Sequence, residues 1–85
     1  MTHELIVYFK PDCPFCARLR TDLDEAGVAH VVIDVETDDT AAALVAELNG
    51  GNRIVPTVVF GDGSALTNPP VAMVISKLGA LAAGD

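Results

Sequence analysis

Residues 8–20, YFKPDCPFCARLR, join an apolar run to a segment with helical spacing, and they contain both cysteines of the chain. Cys13 and Cys16 stand three positions apart, just after a proline that interrupts the apolar run. Such a pair can be part of a metal site, a structural disulfide or a reactive redox couple. The surrounding elements distinguish these three possibilities.

Apolar, β-branched stretches alternate with helical spacing along the rest of the chain. Strands are predicted over 4–9, 28–35, 56–60 and 64–66, and the sequence GDG at 61–63 predicts a tight turn between the last two. A first helix is predicted after the first strand, starting at Pro14, and a third at the end of the chain. Gly27 is a natural stop for the first helix, and Asn68 and Pro69 suit the N-cap and first position of the third.

The second helix is predicted to be capped by Asp38 or Asp39 and to close on Asn49 and Gly50. The resulting order is β-α-β-α-β-β-α. A strand, helix and strand in succession indicate a parallel pair, and the GDG hairpin indicates an antiparallel edge. We therefore expect an α/β fold in which one four-stranded mixed sheet is covered by three helices.

Size and charge exclude several classes of function. A chain of 85 residues is expected to form one domain over 1–85. Its net charge of −7 provides no basic surface for a phosphate backbone, so nucleic acid is not an expected partner. Neither a signal peptide nor a run of about 18 apolar residues is present, so no membrane association and a cytoplasmic location are expected.

A zinc site is not favoured by the residues available. Structural zinc takes four Cys or His ligands, and the histidines His3 and His30 have no spacing partner. No metal ligand is therefore predicted. A structural disulfide is uncommon in the cytosol, and this one would close a very short loop. A protease-like couple would leave the second cysteine without a role.

The remaining interpretation is a redox pair, because a C-x-x-C motif near a βαβ pattern is typical of thioredoxin-like proteins. At a helix N-terminus the unpaired backbone N–H groups and the helix dipole favour a negative sulfur. Cys13 precedes the helix and is predicted to attack, whereas Cys16 lies one turn inside and is predicted to resolve the mixed disulfide. Pro14 suits the first helical position, and Lys10 either adds positive charge near the attacking sulfur or is simply solvated.

The sequence NRIVPT provides a second candidate element at 52–57. Pro56 either marks the start of a strand or forms a cis bond with Val55 that faces the cysteines. In the second case the Val55 backbone is free to pair with a bound peptide or thiol. Arg53 is then available for a substrate carboxylate, although a solvated loop arginine is the alternative.

YFKPDCPFC resembles the active-site segment of dithiol glutaredoxins, with Lys10, Pro14 and Phe15 matching beside the two cysteines, and VPT resembles their cis-proline element. The resemblance runs from Leu5 to about Leu81. It implies a thioredoxin-like fold of the glutaredoxin type. It also implies reduction of protein disulfides, and of mixed disulfides with a low-molecular-weight thiol, by a protein that is expected to be monomeric and to hold no tightly bound cofactor.

Residues 49–69, NGGNRIVPTVVFGDGSALTNP, are similar to the corresponding segment of mycoredoxins, the glutaredoxin-like proteins of bacteria that use mycothiol in place of glutathione. Glutathione-dependent glutaredoxins usually carry Gly-Gly where this chain has Thr67-Asn68. The resemblance implies that Thr67 and Asn68 help to bind the thiol, and helix capping alone is the alternative. Mycothiol is thus the expected co-substrate, with glutathione as the other choice.

Two other functions remain open at this level. One is a general disulfide reductase supplied by a flavoprotein of the thioredoxin reductase kind. The other is an iron–sulfur module in which Cys13 ligates a cluster shared between two subunits. The proline of CPFC argues weakly against the second, because cluster-binding members commonly have CGFS-type motifs.

Overall fold

The structure is a computed structural model, and it describes residues 4–83. The elements follow in the predicted order: β1 Leu5–Phe9, α1 Pro14–Glu25, β2 Val31–Asp34, α2 Asp39–Leu48, β3 Thr57–Phe60, β4 Ala65–Thr67 and α3 Val71–Ala83. Among the helices of residues 4–83, none is both long and apolar enough to cross a membrane.

The four strands form one sheet in the order β2-β1-β3-β4. β1 and β2 are parallel, while β3 is antiparallel to both β1 and β4. The predicted parallel pair and the predicted antiparallel hairpin are therefore confirmed. Because β1 and β3 are antiparallel, the end of β1 lies beside the start of β3, with Tyr8 opposite Thr57. The same geometry places Thr67, at the end of β4, opposite Thr57.

Alternation along β1 divides the core into two layers. Leu5 and Val7 pack with buried residues of α1 and α3 on one face of the sheet. Tyr8 packs on the other face with the buried residues of α2. This arrangement places the loop between β1 and α1 at the end of the sheet where β3 begins.

Two strand predictions need adjustment. The second strand was expected over 28–35, but β2 spans only Val31–Asp34. The Val28 N–H instead donates to the Leu23 carbonyl oxygen and closes the end of α1, after Gly27 adopts a φ of 70°. The fourth strand lies one residue later than the predicted 64–66, because the Ser64 amide is held by the Asp62 carboxylate in the turn.

The predicted start of the third helix is wrong. Asn68 is not its N-cap, since α3 begins at Val71 and the Pro70 carbonyl oxygen accepts from the first helical amides. The helical backbone conformation is disfavoured for a residue that precedes proline. Both Asn68 and Pro69 precede a proline. Asn68 has a φ of 46° and its N–H donates to the Pro56 carbonyl oxygen at 2.7 Å.

Candidate active site

Cys13 is the N-cap of α1, and its sulfur occupies the acceptor position of that cap. Its backbone is extended, with φ −98° and ψ 109°, and its Sγ accepts a hydrogen bond from the Cys16 N–H at 3.2 Å. Pro14 lies at the start of the helix, as the sequence predicted. The Cys13 sulfur is therefore held at the positive end of the helix by a backbone donor.

The two thiols have different environments. Cys13 is half-buried, whereas Cys16 is 1% exposed and packs beneath the first turn. Burial, followed by the hydrogen bond with the Cys13 side chain, raises the pKa of Cys16 to about 12. Removing water from a thiolate disfavours its charged form. Cys16 is therefore a protonated thiol at neutral pH.

The Val55-Pro56 segment forms the wall opposite Cys13. The Val55-Pro56 bond is cis, as expected from the sequence. The Cys13 thiol points at the Val55 carbonyl oxygen, with 3.9 Å between Sγ and O. Among residues 4–83, no hydrogen-bond acceptor is found for the Val55 N–H. An extended backbone edge thus faces the attacking position across the gap.

The other predicted site residues lie around this gap in different ways. Phe15 is 64% exposed on the first turn of α1. The Lys10 carbonyl oxygen accepts from the Cys13 N–H at 3.3 Å, and its half-buried side chain belongs to the same loop. Arg53 is exposed in the loop that precedes Val55. All three remain candidates for contact with a substrate.

Thr67 and Asn68 lie at the same end of the sheet but make different contacts. The Thr67 hydroxyl donates to Asn49 Oδ1 at 2.6 Å, so its proton is used within the protein. Asn68 lines an open cleft of about 430 Å³ between α1 and the start of α3. Arg18 and Asp22 line the same cleft, and sequence reasoning missed them although they follow Phe15 at helical spacing.

Asn49 is a further residue that the sequence did not single out for the site. Its side chain bonds to both Thr57 and Thr67. The only signal in the sequence was its position before Gly50, which predicted a helix end and nothing more.

His30 does not join the cysteines. His30 lies just before β2, where its Nδ1 is 2.8 Å from the Val28 carbonyl oxygen and its Nε2 is 3.8 Å from an Asp24 oxygen. His3 lies outside the described residues. Within 4–83, no three His, Cys, Asp or Glu side chains converge as metal ligands.

Comparison with known proteins identifies the family. The family model described as Glutaredoxin matches residues 5–64. The chain belongs to the glutaredoxin family. Members of this family are thiol–disulfide oxidoreductases, and they use a low-molecular-weight thiol as co-substrate. The resemblance inferred from CPFC and VPT is therefore confirmed, and so is the enzyme class.

Two curated relatives match this glutaredoxin over most of their length. A Mycobacterium tuberculosis protein named as a glutaredoxin is 45% identical over 78 residues, which cover 92% of this chain and 93% of the relative. Mycoredoxin 1 of Corynebacterium glutamicum is 46% identical over 76 residues, which cover 89% of this chain and 94% of the relative. The similarity to mycoredoxin seen in residues 49–69 thus extends to most of the chain.

Solved structures give the same fold. The thioredoxin-like protein BC3987 superposes with a TM-score of 0.70 at 28% identity, covering 87% of this chain and 97% of that one. The glutaredoxin from Archaeoglobus fulgidus superposes with a TM-score of 0.72 at 24% identity, covering 88% and 85%. The predicted thioredoxin-like fold of the glutaredoxin type is confirmed.

Proposed function

We propose that this glutaredoxin removes low-molecular-weight thiols from proteins, with Cys13 as the nucleophile and mycothiol as the preferred co-substrate. The observation that carries the proposal is the asymmetry of the two thiols. The Cys13 sulfur is accessible at a helix N-terminus and faces the Val55 backbone, whereas Cys16 is buried and retains its proton.

In the monothiol route, the Cys13 thiolate attacks the small-thiol sulfur of a protein mixed disulfide. The disulfide bond between the target sulfur and the small-thiol sulfur breaks, the target leaves as a thiolate and takes up a proton, and Cys13 carries the small thiol as a disulfide. A second small thiol, as its thiolate, attacks that small-thiol sulfur. Cys13 is released as a thiolate, and the two small thiols leave as their oxidised dimer. Cys16 takes no part in this route.

In the dithiol route, Cys13 attacks a disulfide of the target and forms a mixed disulfide with it. Cys16 then loses its proton, attacks the Cys13 sulfur and displaces the target thiolate, which leaves Cys13 and Cys16 oxidised. Two small thiols, or a flavoprotein reductase, then supply two electrons to reduce that pair. Because burial raises the pKa of Cys16, we propose that this route is the slower one.

The substrate docks along the wall formed by Val55. Its backbone pairs with the Val55 N–H and carbonyl groups as an added strand would, replacing the Cys13 thiol contact at the carbonyl oxygen. Arg53 and Lys10 supply positive charge to substrate carboxylates, since the chain has few other cations. Phe15, which is largely exposed, provides an apolar contact beside the reacting sulfur.

We attribute the preference for mycothiol to Thr67, the last residue of β4, and to Asn68, which follows it. Mycothiol is a sugar-bearing thiol with many hydroxyls, and the Asn68 amide can donate and accept hydrogen bonds to such groups. Thr67 can still accept a bond, although its proton is held by Asn49. Each net hydrogen bond contributes about 0.5–1.5 kcal/mol, so the two bias the choice of thiol without excluding glutathione. The 46% identity to a protein named mycoredoxin 1 supports the same choice.

Turnover of one mixed disulfide with mycothiol and with glutathione tests the preference. We expect faster turnover with mycothiol, and a preference that falls by about tenfold in Asn68→Gly. Glycine accepts the left-handed φ of 46° at this position, so this variant removes the side chain and keeps the backbone bond to Pro56. Asn52→Ala, which removes an exposed amide, is the control. Equal or faster turnover with glutathione in the unmodified protein contradicts the mycothiol assignment.

We also propose that the protein acts as a monomer in the cytoplasm. A reducing compartment keeps a C-x-x-C pair in the dithiol state that attacks disulfides.

A further inference from the structure

We propose that Asn49 is a positioning residue for the substrate-docking wall. Within residues 4–83, none of its side-chain hydrogen bonds goes to a cysteine. Its side chain instead bonds to Thr57 and Thr67. These two connections lead to Ile54 and Pro56, the neighbours of Val55, whose carbonyl faces the Cys13 sulfur.

The first connection runs through Thr57. The Thr57 hydroxyl donates its only proton to the Ile54 carbonyl oxygen at 2.7 Å, so it can only accept from Asn49 Nδ2, which lies 3.1 Å away. Thr57 is fully buried, so water does not replace this donor. Asn49 therefore orients the Thr57 hydroxyl, and this hydroxyl restrains Ile54, the residue before Val55.

The second connection runs through Thr67. Its hydroxyl donates to Asn49 Oδ1 at 2.6 Å. The next residue, Asn68, donates its N–H to the Pro56 carbonyl oxygen at 2.7 Å. Asn49 thus also anchors Thr67 and Asn68, and the Asn68 N–H restrains Pro56, the residue after Val55.

The third bond attaches this assembly to a rigid element. Asn49 Nδ2 also donates to the Val45 carbonyl oxygen in the last turn of α2 at 2.8 Å, and Val45 is completely buried. The two donors and one acceptor of the amide are all used, which determines which atom is nitrogen and which is oxygen. A single side chain thereby ties α2, the Val55-Pro56 segment and the end of β4 together.

The consequence concerns docking rather than the reactivity of the sulfur. A docking edge that moves by about 1 Å lowers turnover by up to about a hundredfold. The Cys13 cap is made by the Cys16 N–H and is independent of Asn49. Loss of the Asn49 bonds should therefore slow reaction with a substrate that uses the wall, while a small reagent reacts with Cys13 as before.

Asn49→Asp, with the exposed residue Asn52→Asp as its control, tests the inference, because both variants add one negative charge in the same loop. The aspartate cannot donate to Val45 or Thr57. The substrate is a peptide S-thiolated with mycothiol or glutathione, whichever the unmodified protein reduces faster. We expect kcat/KM to fall about tenfold or more in Asn49→Asp, with KM raised, and to stay unchanged in Asn52→Asp. The rate of Cys13 alkylation by iodoacetamide should stay within about twofold in both.

A kcat/KM for Asn49→Asp equal to that of Asn52→Asp overturns the inference, and so does a parallel fall in the alkylation rate. If Asn49→Asp does not fold, the pair Thr57→Val and Thr57→Ser replaces it. The serine keeps the hydroxyl that accepts from Asn49 Nδ2 and donates to the Ile54 carbonyl oxygen, so it should retain the KM of the unmodified protein. The valine should raise KM, and equal KM values overturn the inference. The inference rests on the proposed function only for the identity of the substrate. If the unmodified protein reduces neither mixed disulfide, the proposed function fails, and the alkylation rates are unaffected by that failure.

Discussion

Two helix N-termini of this protein have the same capping geometry and different consequences. In α1 the Cys13 sulfur accepts from the N–H three residues later at 3.2 Å, and in α2 an Asp38 oxygen accepts from the N–H three residues later at 3.0 Å. Both caps satisfy an amide that has no partner within the helix. The cap of α2 is an exposed carboxylate, which is a stable acceptor and no nucleophile.

The difference lies in what surrounds each acceptor. Cys13 lies opposite the Val55 carbonyl, and a buried second thiol lies one turn behind it. A helix cap therefore becomes a reactive site when the acceptor is a sulfur and the tertiary structure places a docking wall in front of it. The same physical interaction stabilises α2 and prepares the nucleophile in α1.

The largest effect is expected from replacing the sulfur of the α1 cap. Cys13→Ser should abolish turnover of every disulfide substrate, because a hydroxyl is far less nucleophilic than a thiolate. Its stability should change little, since serine is itself a good N-cap. Turnover assays and thermal unfolding measure the two quantities. Cys16→Ser is the matched variant and should retain removal of a small thiol. Equal loss of activity in both variants would favour the dithiol route.

A second prediction separates the two thiols within one molecule. Iodoacetamide at pH 7 should modify Cys13 about a hundredfold faster than Cys16 or more, because with a pKa of about 12 only about 10⁻⁵ of Cys16 is thiolate at that pH. Peptide mapping by mass spectrometry gives the two rates. The denatured protein is the control, and its cysteines should react at similar rates. Comparable rates in the folded protein would contradict the assigned environments.

A third prediction concerns the pH dependence of stability of the reduced protein. The folded pKa of Cys16 lies above its value of 9.0 in an ordinary environment, so above that pH the unfolded chain releases a proton that the folded chain keeps. The contribution of Cys16 is therefore complete below pH 9 and is lost as the pH rises towards 12, by about 1.4 kcal/mol per unit.

Urea unfolding between pH 8 and pH 10, with reductant present, measures this loss. Cys16→Ala should show a shallower fall in the free energy of unfolding than the unmodified protein, because it lacks the thiol whose proton the folded chain keeps and the unfolded chain releases. Identical slopes would mean that burial does not protect the Cys16 proton.

The smallest effect is expected at the α2 cap. Asp38→Ala should lower the free energy of unfolding by about 1 kcal/mol, which corresponds to about 4–8 °C in Tm for a domain of this size. Turnover should not change, because this cap faces no docking wall. Asp38→Asn keeps an acceptor oxygen and should recover most of the stability. A fall in turnover with Asp38→Ala at a temperature where it is folded would show that the two caps are not separate in function.

Sequence reasoning was accurate where a feature depends on residues close in the chain. The C-x-x-C spacing places the Cys16 amide within reach of the Cys13 sulfur, since i and i+3 meet at a helix start. The same rule gave Asp38 as one of two candidates for the α2 cap. It failed at α3, where Asn68 and Pro69 have suitable residue types for a cap but each precedes a proline.

The order of elements, the family and the local geometry of the cysteine pair can be predicted from the sequence, because these depend on periodicity and short spacing. The residues that face the pair depend on the folded sheet. The contact of Cys13 with Val55 spans 42 positions, and the bond of Thr67 to Asn49 spans 18. Such contacts exist because the antiparallel pairing of β1, β3 and β4 brings distant strand ends to one end of the sheet. Strand pairing is a property of the folded sheet rather than of any local stretch.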